Sequence, residues 1–387
     1  MEKINWDLFA GDEAAQQYLK SLPRYQNTAL KSAFCRGKFF LKLLGCRLSK
    51  IDKPLFVALI TNSRCNMKCT YCYGEYGNPQ DGPEFSTIEL LKLIDGLKEM
   101  GTCLLTMHGG ESLLRKDIGQ LLNYIKLQGF YISLNTNGYR VRQRIEEIKC
   151  IDTAVVSLDG SEAVHDKNRG KGGYKMAMDA IDCFVENHVP CVISATLTRD
   201  SMGDIEYLAK LGQEKGFRVQ YCMLYNYPEL KKRNPELVMS DQEIRDAARL
   251  ILQLKRDGYP LYFSDEVLMG VINWPCSLEE KRFLTRAEKN LANGLHLIPC
   301  YHGKLKYIID ADGRVIPCFA HNDPEAPNVK TLSVAEALRM CHDAQQCEHC
   351  VFMAYNEHNA VMHLSWSNIL NIIKIHNADS LKIRLRG

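Results

Sequence analysis

From residue 54 onward the chain alternates between two hydrophobic periods. Short β-rich runs, LFVALIT (55–61), LLTMHGG (104–110), YISLNTNG (131–138), DTAVVSLDG (152–160), CVISATLT (191–198) and FRVQYCMLY (217–225), alternate with segments whose apolar residues recur at helical spacing. TIELLKLIDGLKEMG, IGQLLNYIKLQG, YKMAMDAIDCFVENH and IEYLAKLGQEKG are such segments, and several end at glycine, as helices often do. Strand, helix, strand in repetition implies right-handed crossovers and a parallel sheet. Six units fit an α/β fold of the partial (β/α)6 TIM-like barrel type better than a doubly wound sheet. The helix SDQEIRDAARLILQLKRDG (240–258) follows, and from about residue 276 the pattern changes to short strands, turns and cysteines. The expected organisation is a helical extension over 1–53, the barrel over 54–270 and a small cysteine-bearing domain with a helical tail over 271–387.

Composition changes this picture in two places. The first is charge: residues 20 to 50 carry eight Lys or Arg and no acid, whereas the whole chain stands at only +3. A solvated basic helix is the plain reading. The interleaved Phe34, Phe39, Phe40, Leu41, Leu43 and Leu44 also suit an anionic membrane surface or an acidic partner. No nucleic-acid motif accompanies the patch, so nucleic acid is not an expected partner. The second is cysteine. No signal peptide or membrane-length apolar run is present, so a cytoplasmic protein is expected, in contact with a membrane only through residues 20–50. In that compartment sixteen cysteines stay thiols, and grouped ones read as metal or cluster ligands.

Unusual residues gather after the β-rich runs, where parallel α/β folds collect their chemistry: cysteines after the first, GGE after the second, NTNG after the third and SLDG after the fourth. The cysteine group is CNMKCTYC, with Cys65, Cys69 and Cys72. Structural zinc takes four protein ligands, and catalytic zinc takes three with one position open. Three close thiolates also suit an iron–sulfur cluster with one iron left free. This Cys-x3-Cys-x2-Cys, with Tyr71 before the last cysteine and the first strand just ahead, resembles the signature of the radical S-adenosylmethionine (SAM) superfamily.

The resemblance implies a [4Fe–4S] cluster whose free iron is chelated by SAM. It implies reductive cleavage of SAM to a 5′-deoxyadenosyl radical, which abstracts a substrate hydrogen atom, with electrons from an external donor such as flavodoxin or ferredoxin. MHGGESLL resembles the family's GGE-P motif with Ser112 at the usual proline, so Gly109, Gly110 and Glu111 would receive the methionyl amino group. VVSLDGSEAVHDKNRGKGGY resembles the matching stretch of sulfatase-maturating and peptide-modifying members, which implies Arg169 at the SAM carboxylate and Ser157 as a hydrogen-bonding partner. Asn135 would bond the ribose. For each of these polar residues a strand-end cap or turn is the simpler alternative.

A second group comprises Cys300-x12-Gly-x4-Cys318 and, after a helical stretch, Cys347 and Cys350. Four thiolates from two separated pairs suit zinc on chemical grounds. The arrangement resembles the auxiliary-cluster domain called SPASM or its shorter form, twitch, which implies an auxiliary [4Fe–4S] cluster; no cysteine follows Cys350, which favours twitch. Cys276 and Cys341 are spare and could replace one of the four. Auxiliary clusters accompany oxidation of the substrate radical, so the expected reaction is dehydrogenation or crosslinking of a peptide or small molecule. Two alternatives stand beside it: a radical SAM enzyme acting on a membrane lipid or lipid precursor, and a zinc-stabilised binding protein without catalysis. Asp159, Asp166, Tyr225 and Tyr227 stand near strand ends, where such residues also serve as caps, and none is assigned as general base.

Overall fold

The computed structural model describes residues 4–74, 76, 84–224 and 228–365. Helices α1 (Asp12–Ser21) and α2 (Ala29–Ser49) lead into six strand–helix units. These are β1 (Phe56–Ile60) with α3 (Thr87–Met100), β2 (Leu104–His108) with α4 (Ile118–Leu127), and β3 (Tyr131–Thr136) with α5 (Val141–Ile148). Next come β4 (Thr153–Ser157) with α6 (Glu162–Arg169) and α7 (Gly173–Glu186), and β5 (Cys191–Leu197) with α8 (Ile205–Lys215). The sixth unit is β6 (Arg218–Met223) with α9 (Pro228–Arg233), α10 (Asp241–Arg256) and α11 (Asp265–Ile272). The rest of the described chain holds β7 (Phe283–Thr285), β8 (Lys306–Ile309), β9 (Val315–Ile316), α12 (Val334–Ala344), β10 (Cys347–Cys350) and α13 (Met353–Met362).

Local chemistry sets the helix limits. Ser86 with Glu89 and Ser240 with Glu243 form reciprocal capping boxes at the starts of α3 and α10, satisfying amides the helices leave free. Gly101 ends α3 at φ 99°, a conformation costly for residues with a Cβ.

Strands β1 to β6 pair in parallel and in chain order, making the partial barrel. The sheet continues past β1: β8 pairs with it in parallel, Phe56 opposite Lys306, and β9 closes an antiparallel hairpin on β8. The cysteine-rich C-terminal part thus contributes two strands to the barrel's own sheet. Strands β7 and β10 form a separate antiparallel pair.

Alternation along the strands sends Val57, Leu105, Ile132, Ala154 and Ile193 into the helix-covered core and the other parity into the lumen. At mid-height the lumen is lined by Ala58, Thr106, Ser133, Val155 and Ser194. Closed eight-stranded barrels fill this layer with bulky branched side chains. Small residues leave it open instead, and a cavity of about 1600 Å³ extends through it.

Helix α2 lies across the N-terminal ends of the strands. Its Phe39, Leu43 and Cys46 cluster with Leu55, Phe56, Cys103, Tyr301 and Leu305. Below it, buried Lys126 and Asp152 pair at 2.5 Å, and Asp152 also accepts from Ser32 of α2 and from the Ile132 amide. No described helix is long and apolar enough to cross a membrane.

Candidate active site

Cys65, Cys69 and Cys72 stand on the loop that leaves β1, at the C-terminal mouth of the barrel, and all three line the large cavity. The loop is held from below. The amides of Gly110 and Glu111 donate to the carbonyls of Asn62 and Arg64, at 2.9 and 2.7 Å. A Cβ on Gly110 would stand 2.3 Å from the Arg64 carbonyl oxygen. The second glycine of GGE is thus demanded by the cysteine loop, whatever else approaches it. Buried Arg115 supports the same turn: it donates to the Thr61 and Phe85 carbonyls and pairs with Glu84 at 2.8 Å and Asp117 at 2.9 Å.

The Glu111 carboxylate is buried and accepts from the Leu113 amide, the Thr136 hydroxyl and the Asn137 amide, at 3.1, 3.0 and 2.7 Å. It couples the loop after β2 to the loop after β3. Burial raises its pKa, against which these three donors act. Asn137 in turn directs its side-chain amide to Asn66 at 3.0 Å and toward the Cys65 sulfur at 4.0 Å, and the Met67 amide donates to that sulfur at 3.4 Å.

Arg169 reaches the cavity wall from the end of α6. Its Nε and Nη2 grip buried Asp159 at 2.8 and 3.1 Å, its guanidinium lies over the Tyr71 ring, and the Tyr71 hydroxyl donates to the same carboxylate. Burial alone would raise Asp159, but the Arg169 charge and these hydrogen bonds outweigh it and hold the carboxyl below its usual range. The bidentate grip fixes the guanidinium plane, with Nη1 taking no hydrogen bond among the described residues. Asp166 caps the next helix through the Gly172 and Tyr174 amides. Tyr225 and Tyr227 lie outside the described residues.

Asn135 and Ser157 also line the cavity. Asn135 bonds His108 at 3.1 Å through its amide nitrogen, while its buried Oδ1 has no partner among the described residues. An unsatisfied acceptor at such a place suits a ligand hydroxyl. Cys222 faces the lumen beside Ser194 and Gln220.

Lower in the lumen β8 presents Lys306, almost fully buried. Its amine lies 2.8 Å from the His358 Nδ1 and over the Phe56 ring, and no carboxylate pairs with it among the described residues. Burial pushes its pKa down to about 7.

The second group also converges. Cys300, Cys318, Cys347 and Cys350 line one small cavity with His302, His321 and Gln345, whereas neither Cys276 nor Cys341 does. The Nε2 of His321 is 2.8 Å from the Cys347 sulfur, and Gln345 donates to Cys300 at 3.6 Å. His302 is buried and bonded to the Pro317 carbonyl through Nδ1, and its Nε2 has no partner among the described residues. Phe352 and Tyr355 line both cavities and form the wall between them.

Both thiol groups fit metal-borne clusters. Burial pushes Cys65 and Cys347 up to about 12 and raises Cys69, Cys300, Cys318 and Cys350. Thiols so protonated are inert as nucleophiles, and a cationic metal core is what would draw out their thiolates.

The seven cysteines, GGE, Asn135, Ser157 and Arg169 that the sequence singled out all line one of these two cavities. Sequence reasoning missed Arg115, Asn137, Lys306 and His302, and gave Asp159 no role. The second asparagine of NTNG was the only local signal for any of them.

Residues 59–212 match the model of the radical SAM superfamily. The chain is 31% identical to the Fe-coproporphyrin III synthase of Methanosarcina barkeri over 57% of its own length and 56% of the relative's. It is 29% identical to the mycofactocin maturase MftC of Mycobacterium ulcerans over 45% and 48%. The chain thus spans about half the length of the curated relatives it matches. Among solved structures it is similar to SuiB of Streptococcus suis bound to S-adenosylmethionine, with a TM-score of 0.59, 16% identity, and coverage of 78% of this chain and 69% of that one. SuiB has also been solved bound to its precursor peptide, SuiA. At that identity the likeness is one of fold.

Proposed function

From a chain whose residues 59–212 form a radical SAM domain, we infer an enzyme that removes a hydrogen atom from a peptide and completes an oxidative modification with a second cluster. The observation that carries this reading is the placement of Cys65, Cys69 and Cys72 at the mouth of a hollow lumen, with four further cysteines behind its wall. Those three would hold the SAM-binding [4Fe–4S] cluster, and Cys300, Cys318, Cys347 and Cys350 the auxiliary one. When bound, the first cluster supplies the electron that splits SAM into methionine and a hydrogen-abstracting 5′-deoxyadenosyl radical, and the second accepts the electron the substrate gives up.

The chain's own residues bind and orient. Gly109 and Gly110 let the backbone of two loops meet beneath the cysteines, and Glu111 locks the third loop to them. Arg169, held flat by Asp159, would donate to the SAM carboxylate, Asn135 Oδ1 would accept from a ribose hydroxyl, and Ser157 would supply a further hydrogen bond to SAM. Phe352 and Tyr355 keep water from the boundary between the two cavities. A neutral Lys306 amine can take up the proton an oxidised substrate releases.

SuiB with its peptide, and MftC by its name as a maturase, support a peptide substrate; an external one-electron donor would reduce the SAM-binding cluster, not the substrate. A second reading, a small molecule bearing carboxylates, is favoured by Lys306, a buried amine with no acidic partner among the described residues, and by the Fe-coproporphyrin III synthase relative.

The test is anaerobic reconstitution with iron and sulfide, followed by iron per chain and 5′-deoxyadenosine release from SAM under dithionite. About eight irons are expected, four per cluster, falling to about four without deoxyadenosine when Cys65, Cys69 and Cys72 are replaced by alanine. Bound zinc with no deoxyadenosine would instead favour a non-catalytic binding protein.

A further inference from the structure

Helix α2 has two apolar faces, and among the described residues only one of them is covered. Ser32, Cys35, Phe39, Leu43 and Cys46 turn inward and are buried. On the opposite side Leu30, Phe34, Leu41 and Leu48 are 80, 74, 73 and 76% exposed. At 100° per residue these four lie within about 40° of one line down the helix, with Leu44 at its margin. Large apolar side chains scattered singly on a surface need no account, but a contiguous stripe marks an interaction site.

The flanks say what kind. Lys31 and Lys38 border the stripe on one side and Arg47 stands beyond it on the other, and none of the three is paired with a carboxylate among the described residues. Instead Lys31 donates to the Gln26 carbonyl, and Arg47 lies over the Tyr301 ring. No acid occurs between residues 20 and 50.

We propose that this outer face of α2 docks the protein on an anionic lipid bilayer, with Leu30, Phe34, Leu41 and Leu48 inserted between headgroups and the flanking cations at the phosphate level. A second copy of the chain is a poorer occupant, because a two-fold pairing of this face sets like cations against one another. The inward face of the same helix lines the lower end of the cavity with Ser32, Arg36, Phe39 and Phe40. Docking therefore brings the N-terminal side of the barrel to the membrane. This inference does not depend on which reaction the barrel performs.

Sedimentation of the full chain with vesicles tests it. The chain is expected to pellet with phosphatidylcholine vesicles containing phosphatidylglycerol, and at least tenfold less with phosphatidylcholine alone or in high salt. The quadruple variant Leu30→Gln, Phe34→Gln, Leu41→Gln, Leu48→Gln should stay in the supernatant with an unchanged melting temperature, since it alters no buried contact. A Phe34→Trp variant, its emission compared with that of the unsubstituted chain, should shift to the blue on anionic vesicles, which reports insertion even if the quadruple variant folds poorly. Failure of the wild type to pellet, or equal pelleting of a folded quadruple variant, overturns the proposal. So does light scattering that finds a wild-type dimer and a monomeric variant, because the face would then join two copies of the chain.

Discussion

At the scale of single residues, the site is governed by contacts between loops far apart in sequence. Gly110 is the sharpest case, since a methyl group there meets the Arg64 carbonyl oxygen at 2.3 Å. Gly110→Ala is expected to cost about 1–3 kcal/mol by overpacking and to shift the cysteine loop, so that reconstituted protein loses first-site iron and keeps second-site iron. Iron counts with and without the Cys65, Cys69 and Cys72 replacements separate the two. His165 governs a pH dependence. It is fully buried, accepts the Asp159 amide at 3.1 Å, and is pushed down from 6.5 to about 4, first by burial and then by the Arg169 charge. The unfolded chain therefore binds the extra proton between those values, so stability is intact above pH 6.5 and falls as pH drops toward 4. The full contribution is about 3 kcal/mol, at up to about 1.4 kcal/mol per pH unit. Denaturant unfolding of wild type and His165→Gln across pH 4–7 should show that slope reduced in the variant; parallel curves would contradict the assignment. Such roles were not readable from the chain. The SLDG stretch signals a turn, and nothing near Asp159 in sequence announces Tyr71, 88 positions away, as its hydrogen-bond donor.

At the scale of elements, legibility follows the range of the interaction. The six β-rich runs and the helices between them were readable because period 2 and period 3.6 are local properties, fixed by which face each element buries. The hydrophobic content of α2 was equally plain, but its division into a buried face and an exposed stripe depends on how the helix lies on the barrel. Of the apolar residues noted there, Phe39 and Leu43 are covered while Phe34, Leu41 and Leu44 are not. The buried pair Lys126 and Asp152 helps fix that docking, since Asp152 receives both Lys126 of α4 and Ser32 of α2. Lys126→Met should leave the carboxylate buried without its cation and lower stability by about 3–5 kcal/mol, read by urea denaturation. Replacing both partners with apolar residues should recover much of the loss, because the penalty belongs to the orphaned charge and not to the missing pair.

At the scale of the whole molecule, the second cysteine group does not hang from the barrel as an appendage. Strand β8, which begins six residues after Cys300 and ends nine before Cys318, is hydrogen-bonded along β1, whose C-terminal end leads to Cys65. KYII could have paired with any sheet edge, which is why no sequence period revealed this. The two cavities share a boundary of Phe352 and Tyr355, and the β1–β8 pairing ties the chain around the second to the sheet that lines the first. If the second group holds the cluster that accepts the substrate's electron, removing it should separate two steps that otherwise proceed together. Cys347→Ala with Cys350→Ala alters the β7–β10 pair and leaves the β1–β8 register untouched. The variant is expected to retain about four irons and to release 5′-deoxyadenosine from SAM, yet to leave the substrate unoxidised. Loss of deoxyadenosine release in a variant that still holds first-site iron would instead mean that the second cluster feeds electrons inward to the first, reversing the direction of transfer across the Phe352 and Tyr355 wall.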